Sequence, residues 1–223
     1  MPRLFAGPLD KRIKRALCLV AHPDDIEFYC AGTVLLMTSH GASVDFVIAT
    51  SGDKGARTAA KSSAQVARTR EREQAQAAQM LGVHEVRFLR HGDAELVEDL
   101  ALREEFVREI RTTKPDVLLT FDPNVPYRCH PDHRAVGRVA LDAAWPCARD
   151  PLTYPKAGPP HETAEAWCFG GVQPNLEVDV REVLDTKIKA RLAHASQTGN
   201  PATLARRWRS MAAVEKFHQV NLR

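Results

Sequence analysis

The chain has 223 residues, of which 44% are hydrophobic and 26% charged, and its formal net charge is +3. A chain of that length buries roughly 70–75% of the surface its unfolded form exposes, so one compact domain needs no crosslinks. Charge this mild calls for no nucleic-acid partner, and no apolar run approaches the roughly 18 residues of a membrane span. The five cysteines, Cys18, Cys30, Cys129, Cys147 and Cys168, are odd in number and lack Cys-x-x-Cys spacing. Reduced thiols are therefore expected rather than a disulfide framework or a thiolate zinc site.

Residues 1–14 read as a basic N-terminal extension to a single domain spanning 15–223. The apolar stretch Ala16 to Ala21 is too short for a signal-peptide core and ends in charged residues, so a cytoplasmic location is expected. Residues 15–20 (RALCLV) predict a buried first strand, and Cys30 to His40 a helix stopped by Gly41. Val44 to Thr50, rich in β-branched residues, predicts a second strand that empties into the turn-rich loop Ser51-Gly52-Asp53-Lys54-Gly55. Ser62 to Leu81 is a run of strong helix formers closed by Gly82. Val86 to Leu89 predicts a third strand, Leu100 to Arg111 a helix, and Asp116 to Phe121 a fourth strand introduced by Pro115. A helix from about Asp132 to Ala144 precedes the proline- and glycine-crowded stretch 150–160, a loop expected over the sheet's working edge. Short strands at 166–169 and 176–180, a helix near 183–195 and a closing helix capped by Asn200 and Pro201 complete the chain.

Strand and helix alternate throughout, which predicts an α/β fold: a three-layer, Rossmann-like, mostly parallel sheet with helices on both faces. In the common strand order 3-2-1-4-5, strands one and four are neighbours. Ligands bind such sheets in the crevice at the strands' carboxyl ends.

Two motifs fall there. After the first strand, His22-Pro23-Asp24-Asp25-Ile26-Glu27 places an imidazole and three carboxylates within six residues. Burying so many acids without a cation is expensive, whereas imidazole plus carboxylate is a zinc-type ligand set. A solvated acidic turn capping a helix is the alternative for this motif alone. After the fourth strand, Phe121-Asp122-Pro123-Asn124 leads to His130-Pro131-Asp132-His133, which alone reads equally as a helix start. Two unrelated caps have no reason to converge on one crevice, so a divalent-metal site is expected. A nicotinamide or flavin cofactor is not expected, because proline and two carboxylates stand where a glycine-rich turn must approach a pyrophosphate.

These residues, together with Ala31-Gly32-Thr33, make the sequence similar to the LmbE-like, or PIG-L, family of zinc-dependent de-N-acetylases acting on N-acetylglucosamine units. The likeness runs from about residue 15 to 198, through Arg70, Glu73, Asp93 and His194-Ala195-Ser196-Gln197. The resemblance implies that His22, Asp25 and His133 hold one zinc ion, or iron or another divalent ion in its place. It implies Asp24 as general base on the metal-activated water, a cationic His130 as oxyanion stabiliser and acid for the amine, and Asp132 as the residue that orients His130. Where the family often has a tyrosine, Tyr127 sits three residues ahead of His130. It is a candidate substrate contact, as are Asp53, Arg70, Asp93 and His194, while Glu27 is expected to support the ligands from behind. For Arg70 solvated i,i+4 pairing is the alternative, and for Asp53 and Asp93 loop capping. The implied function is removal of an N-acetyl group from a small aminosugar conjugate, with homo-oligomers frequent among such proteins. A metal-dependent esterase or phosphoesterase and a catalytically silent sugar-binding module are the competing readings.

Overall fold

The computed structural model describes residues 3–5, 13–56, 62–127, 129–211 and 213–223. Eight strands form one sheet: β1 (Arg3–Phe5), β2 (Arg15–Val20), β3 (Ser43–Thr50), β4 (Glu85–His91), β5 (Val117–Phe121), β6 (Glu165–Phe169), β7 (Leu176–Asp179) and β8 (Val214–Asn221). Their spatial order is β1-β7-β8-β6-β5-β2-β3-β4. The five strands β4-β3-β2-β5-β6 are the order 3-2-1-4-5 expected from the sequence, all parallel. Residues 3–5, which sequence reading sets outside the domain, pair in parallel with β7 at the far edge of the same sheet.

The central strands form as they do because β2 and β5 carry Leu, Val, Ala, Cys and Phe with almost no polar side chain. Such strands can lie only where both faces are covered, and their apolar residues are buried. The helices are α1 (Asp25–Tyr29), α2 (Ala31–Ser39), α3 (Ser63–Met80), α4 (Leu100–Thr113), α5 (Pro131–Asp142), α6 (Leu184–Ala193) and α7 (Pro201–Met211). Helices α1, α2, α3 and α6 pack together as one group, and α4 with α5 as another. The long α3 starts with a full capping box, in which Ser62 and Gln65 satisfy each other's backbone donors.

Two expectations are corrected. The loop 150–160 does not cover the working edge. It wraps the buried guanidinium of Arg111 at the end of α4, which donates to the carbonyls of Cys147, Ala148, Asp150, Thr153, Tyr154 and Gly158 at 2.7–3.1 Å. His161 Nε2 lies 2.8 Å from the Pro115 carbonyl just before β5, so this loop closes the amino ends of the strands. The closing helix is also not the last element: β8 follows it and inserts antiparallel between β6 and β7. Its buried residues include Glu215, so the strand lacks the apolar alternation that would announce it.

Candidate metal and catalytic site

The turn from β2 into α1 builds the first half of the site. Asp24 is the N-cap of α1 and sits in the left-handed region at φ 89°, a costly conformation for a residue with a side chain. Three hydrogen bonds, from two side chains, hold it there. Its N–H donates to Gln74 Oε1 at 2.9 Å, and Arg70 donates both to the Pro23 carbonyl and, at 3.2 Å, to Asp24 Oδ1. The twist swings Asp25 back over the turn, where its Oδ2 accepts the His22 N–H at 2.7 Å.

The second half comes from the start of α5. His130 is the N-cap and Pro131 the first helical residue, so His133 is carried inward one turn later. Phe121 at the end of β5 stacks on the His133 ring, with centroids 3.9 Å apart and planes 14° apart. The two stretches meet: His133 Nε2 lies 3.2 Å from His22 Nδ1 and 3.2 Å from Asp25 Oδ1, while His22 Nδ1 lies 3.6 Å from Asp25 Oδ2. Donors about 2.0–2.2 Å from a tetrahedral ion are separated by roughly 3.3–3.6 Å, so this donor set fits zinc. His130 also brings a ring nitrogen within 4.8 Å of those of His22 and His133, but from an exposed position.

Behind His22 the structure assigns parts differently from the sequence reading. His22 Nε2 donates to Asp132 Oδ2 at 2.9 Å and approaches Asp93 Oδ1 at 3.2 Å. The Asp132 carboxylate also accepts the N–H groups of Ala94 and Leu96 and does not orient His130; the Asp132 N–H does that, donating to His130 Nδ1 at 3.2 Å. A carboxylate behind a ligating histidine fixes its tautomer and ring orientation. Asp93 joins it there, held by the Lys54 N–H, and Asp53 accepts the Asp93 N–H at 3.0 Å, so both cap loops.

Arg70 is buried, not solvated, and binds the Gly52 carbonyl as well as Pro23 and Asp24. Gly52, at φ +61°, has no room for a Cβ against that guanidinium. Glu27 touches no ligand: it accepts from Gln74 Nε2 at 2.9 Å and lies 3.1 Å from His194 Nε2. His194 is fully buried rather than at the site edge. Tyr127 is 99% exposed and does not reach the site.

Sequence reasoning missed Gln74, Arg191 and Tyr29. Arg191 lies 3.6 Å from Asp24 Oδ2, and Tyr29 packs against Phe121, Phe169 and His133. A signal for Gln74 was present, since the inward face of α3 runs Val66, Arg70, Gln74, Ala77 and places two polar side chains where apolar ones belong.

The electrostatics follow this packing. Burial opposes a charged His22, but hydrogen bonds to Asp132, Asp25 and Asp93 outweigh it and push the imidazole up to about 11. Burial also opposes a charged Asp25, yet His133 and His22 hold its carboxyl far below the usual range. Asp24 is raised by burial and by Asp25, against the pull of Arg70, Arg191 and His194. His130 is lowered by burial and by His22 and His133. Its resting form at neutral pH is thus the uncharged imidazole, not the cation the resemblance implies, with Nδ1 accepting and the proton on Nε2.

Comparison with known proteins shows the family. Residues 17–144 match the model of the PIG-L family, described as GlcNAc-PI de-N-acetylase. The diacetylchitobiose deacetylase of Thermococcus kodakarensis is 32% identical over 188 residues, covering 83% of this chain and 70% of that protein. The structure of the N,N'-diacetylchitobiose deacetylase from Pyrococcus horikoshii superposes with a TM-score of 0.88 at 26% identity, covering 95% of this chain and 85% of that one. The chain belongs to the PIG-L family. The 4-carboxy-2-hydroxymuconate hydratase of Pseudomonas putida shares the fold at TM-score 0.82 and 21% identity, covering 94% of this chain and 97% of that one, so the fold alone does not choose the reaction.

Proposed function

We propose that this protein removes the acetyl group from an N-acetylglucosamine-type conjugate at a zinc ion held by His22, Asp25 and His133. The observation that carries the reading is the convergence of two imidazole nitrogens and a carboxylate at 3.2–3.6 Å from one another, with the carboxylate of the preceding residue, Asp24, held by Arg70 and Arg191. The substrate class comes from the relatives, which are named for deacetylation of N-acetylglucosamine compounds.

An ion held there supplies a Lewis acid for the amide carbonyl and brings the pKa of a water close to neutral. Asp24 is the base that takes the proton of the attacking water. Its burial and the Asp25 charge make it a stronger base than a free carboxylate, while Arg70 and Arg191 keep it ionised. His130 presents Nε2–H on the exposed side of the cluster, where it donates to the carbonyl oxygen as negative charge develops. The nitrogen leaves as an amine once it has gained a proton, which the protonated Asp24 supplies by returning the one it took from the water. Asp132 and Asp93 hold the His22 ring in place throughout.

The test is acetate release from N-acetylglucosamine conjugates by protein of measured zinc content, alongside a panel of phosphate esters. Acetate release that falls with His130→Ala while zinc is kept supports the reading. Phosphate release without acetate, or full activity in that variant, overturns it.

A further inference from the structure

A cavity of about 620 Å³ that the chemistry above does not use lies against the metal cluster. Tyr29 and Arg191 line it and also belong to the cluster's surroundings: the Arg191 guanidinium is 3.6 Å from Asp24 Oδ2, and the Tyr29 ring centroid is 6.4 Å from that of His133. A group joined to a substrate sugar can therefore reach the cavity from the Asp24 side.

The outer wall is α7, and it is an unusual wall. Leu204, Trp208 and Met211 recur at i, i+4 and i+7, which puts them on one stripe, and all three line the cavity. Yet α7 has no buried residue. An amphipathic helix is held by burying its stripe, and here Leu204 and Trp208 are only half-buried and Met211 is exposed. Across from it Phe28 stands 55% exposed, its ring edge-on to Trp208 at 5.6 Å, and Met211 is 67% exposed. Lys187 Nζ, 5.5 Å from the Trp208 centroid, steadies the indole.

The cavity's charges are mostly spent. Lys187 pairs with Glu215 at 2.7 Å, Lys216 with Glu177 at 3.1 Å, and Arg191 with Asp24. Among the described residues Arg207 is the lining cation without an acidic partner, and it is exposed. What the cavity offers unmatched is aromatic and aliphatic surface.

We propose that this cavity is the subsite for the group attached to the aminosugar, and that it takes an uncharged apolar ring or chain, stacked on Trp208 and gripped by Leu204 and Met211. This rests on the deacetylase reading, and two measurements separate the failure of one from the failure of the other.

The first is the ratio of kcat/KM for 2-naphthyl over methyl N-acetylglucosaminide, measured on zinc-loaded protein. The ratio is expected to be about 10 or more, and to fall by about 10–100-fold in Trp208→Ala and in Leu204→Ser, mostly through KM. The second is calorimetric binding of 2-naphthyl glucoside, which has no acetamide and needs no turnover; its affinity should weaken about tenfold in the same variants. Because α7 has no buried residue, both variants are expected to melt near the wild-type temperature. If no conjugate is deacetylated but the naphthyl glucoside binds in a Trp208-dependent way, the catalytic reading fails and the subsite stands. Turnover with a ratio near 1, or binding indifferent to both substitutions, overturns the subsite. A tenfold preference for a 6-carboxy-2-naphthyl conjugate that Arg207→Gln abolishes overturns the uncharged occupant.

Discussion

Replacing Asp24 by asparagine removes one proton acceptor and little else. Asparagine has the same shape and tolerates the left-handed backbone at φ 89° at least as well, so the turn that carries His22 and Asp25 should persist. Two electrostatic effects on stability oppose each other. Arg70 and Arg191, both buried, lose the carboxylate they share, while Asp25 loses a like-charged neighbour. The net change should stay within about 1–2 kcal/mol, a shift of no more than roughly 8 °C for a chain of this size. The effect on turnover should be far larger, because a positioned general base contributes about 10²–10⁴-fold, or roughly 3–5 kcal/mol of barrier. The assay is acetate release by Asp24→Asn at matched zinc content, with a melting curve on the same sample. Activity within tenfold of wild type, with zinc retained and the fold intact, would refute the assignment of Asp24 as the base.

Arg111→Met should destabilise the protein by about 4 kcal/mol or more, since six carbonyls lose a charge-assisted donor, while kcat per folded molecule at low temperature stays near wild type. Melting curves paired with active-site titration check this, and a kcat loss without a stability loss would place the loop 150–160 near the chemistry after all. Tyr127→Phe should leave kcat/KM within about twofold, because that side chain is 99% exposed; steady-state kinetics on the variant decide it. In metal-stripped protein the imidazole of His22 stands near 11, above its unfolded value of 6.5. Its contribution to stability is therefore full below pH 6.5 and is lost as pH rises towards 11, by up to about 1.4 kcal/mol per pH unit for one proton. Chelated protein should melt progressively lower from pH 6.5 to 9, and zinc uptake at pH 8 should release about one proton, measured by calorimetry in buffers of different ionisation enthalpy. A flat melting profile for the chelated protein would sink this account.

Residues 15–20, 44–50 and 116–121 could be read as strands from the chain because a strand buried on both faces must be apolar nearly end to end, and that pattern is local. The cap of α3 at Ser62 and of α7 at Asn200 were legible for a similar reason, as a cap is chemistry between residues three apart. The order 3-2-1-4-5 is the common one for sheets built from such alternating strands and helices, and with it comes the expectation that His22 and His133 share a crevice. By contrast β8 was invisible: its buried Glu215 is matched by Lys187 and by the amides of Gly32 and Thr33, partners more than 25 residues away in the chain.

The chain's own letters thus determined the parallel α/β core and the two clusters of imidazole and carboxylate side chains at its carboxyl edge, because periodicity, caps and motif spacing are short-range properties. Tertiary structure alone decided what each polar residue does. Asp132 serves His22 rather than His130, Asp93 sits behind the same ring, Arg70 is buried against Asp24, and the loop 150–160 closes the opposite end of the sheet. The physical reason is that a buried polar group takes whichever partner the packing brings within about 3 Å, and packing is set by contacts between segments that sequence spacing does not encode.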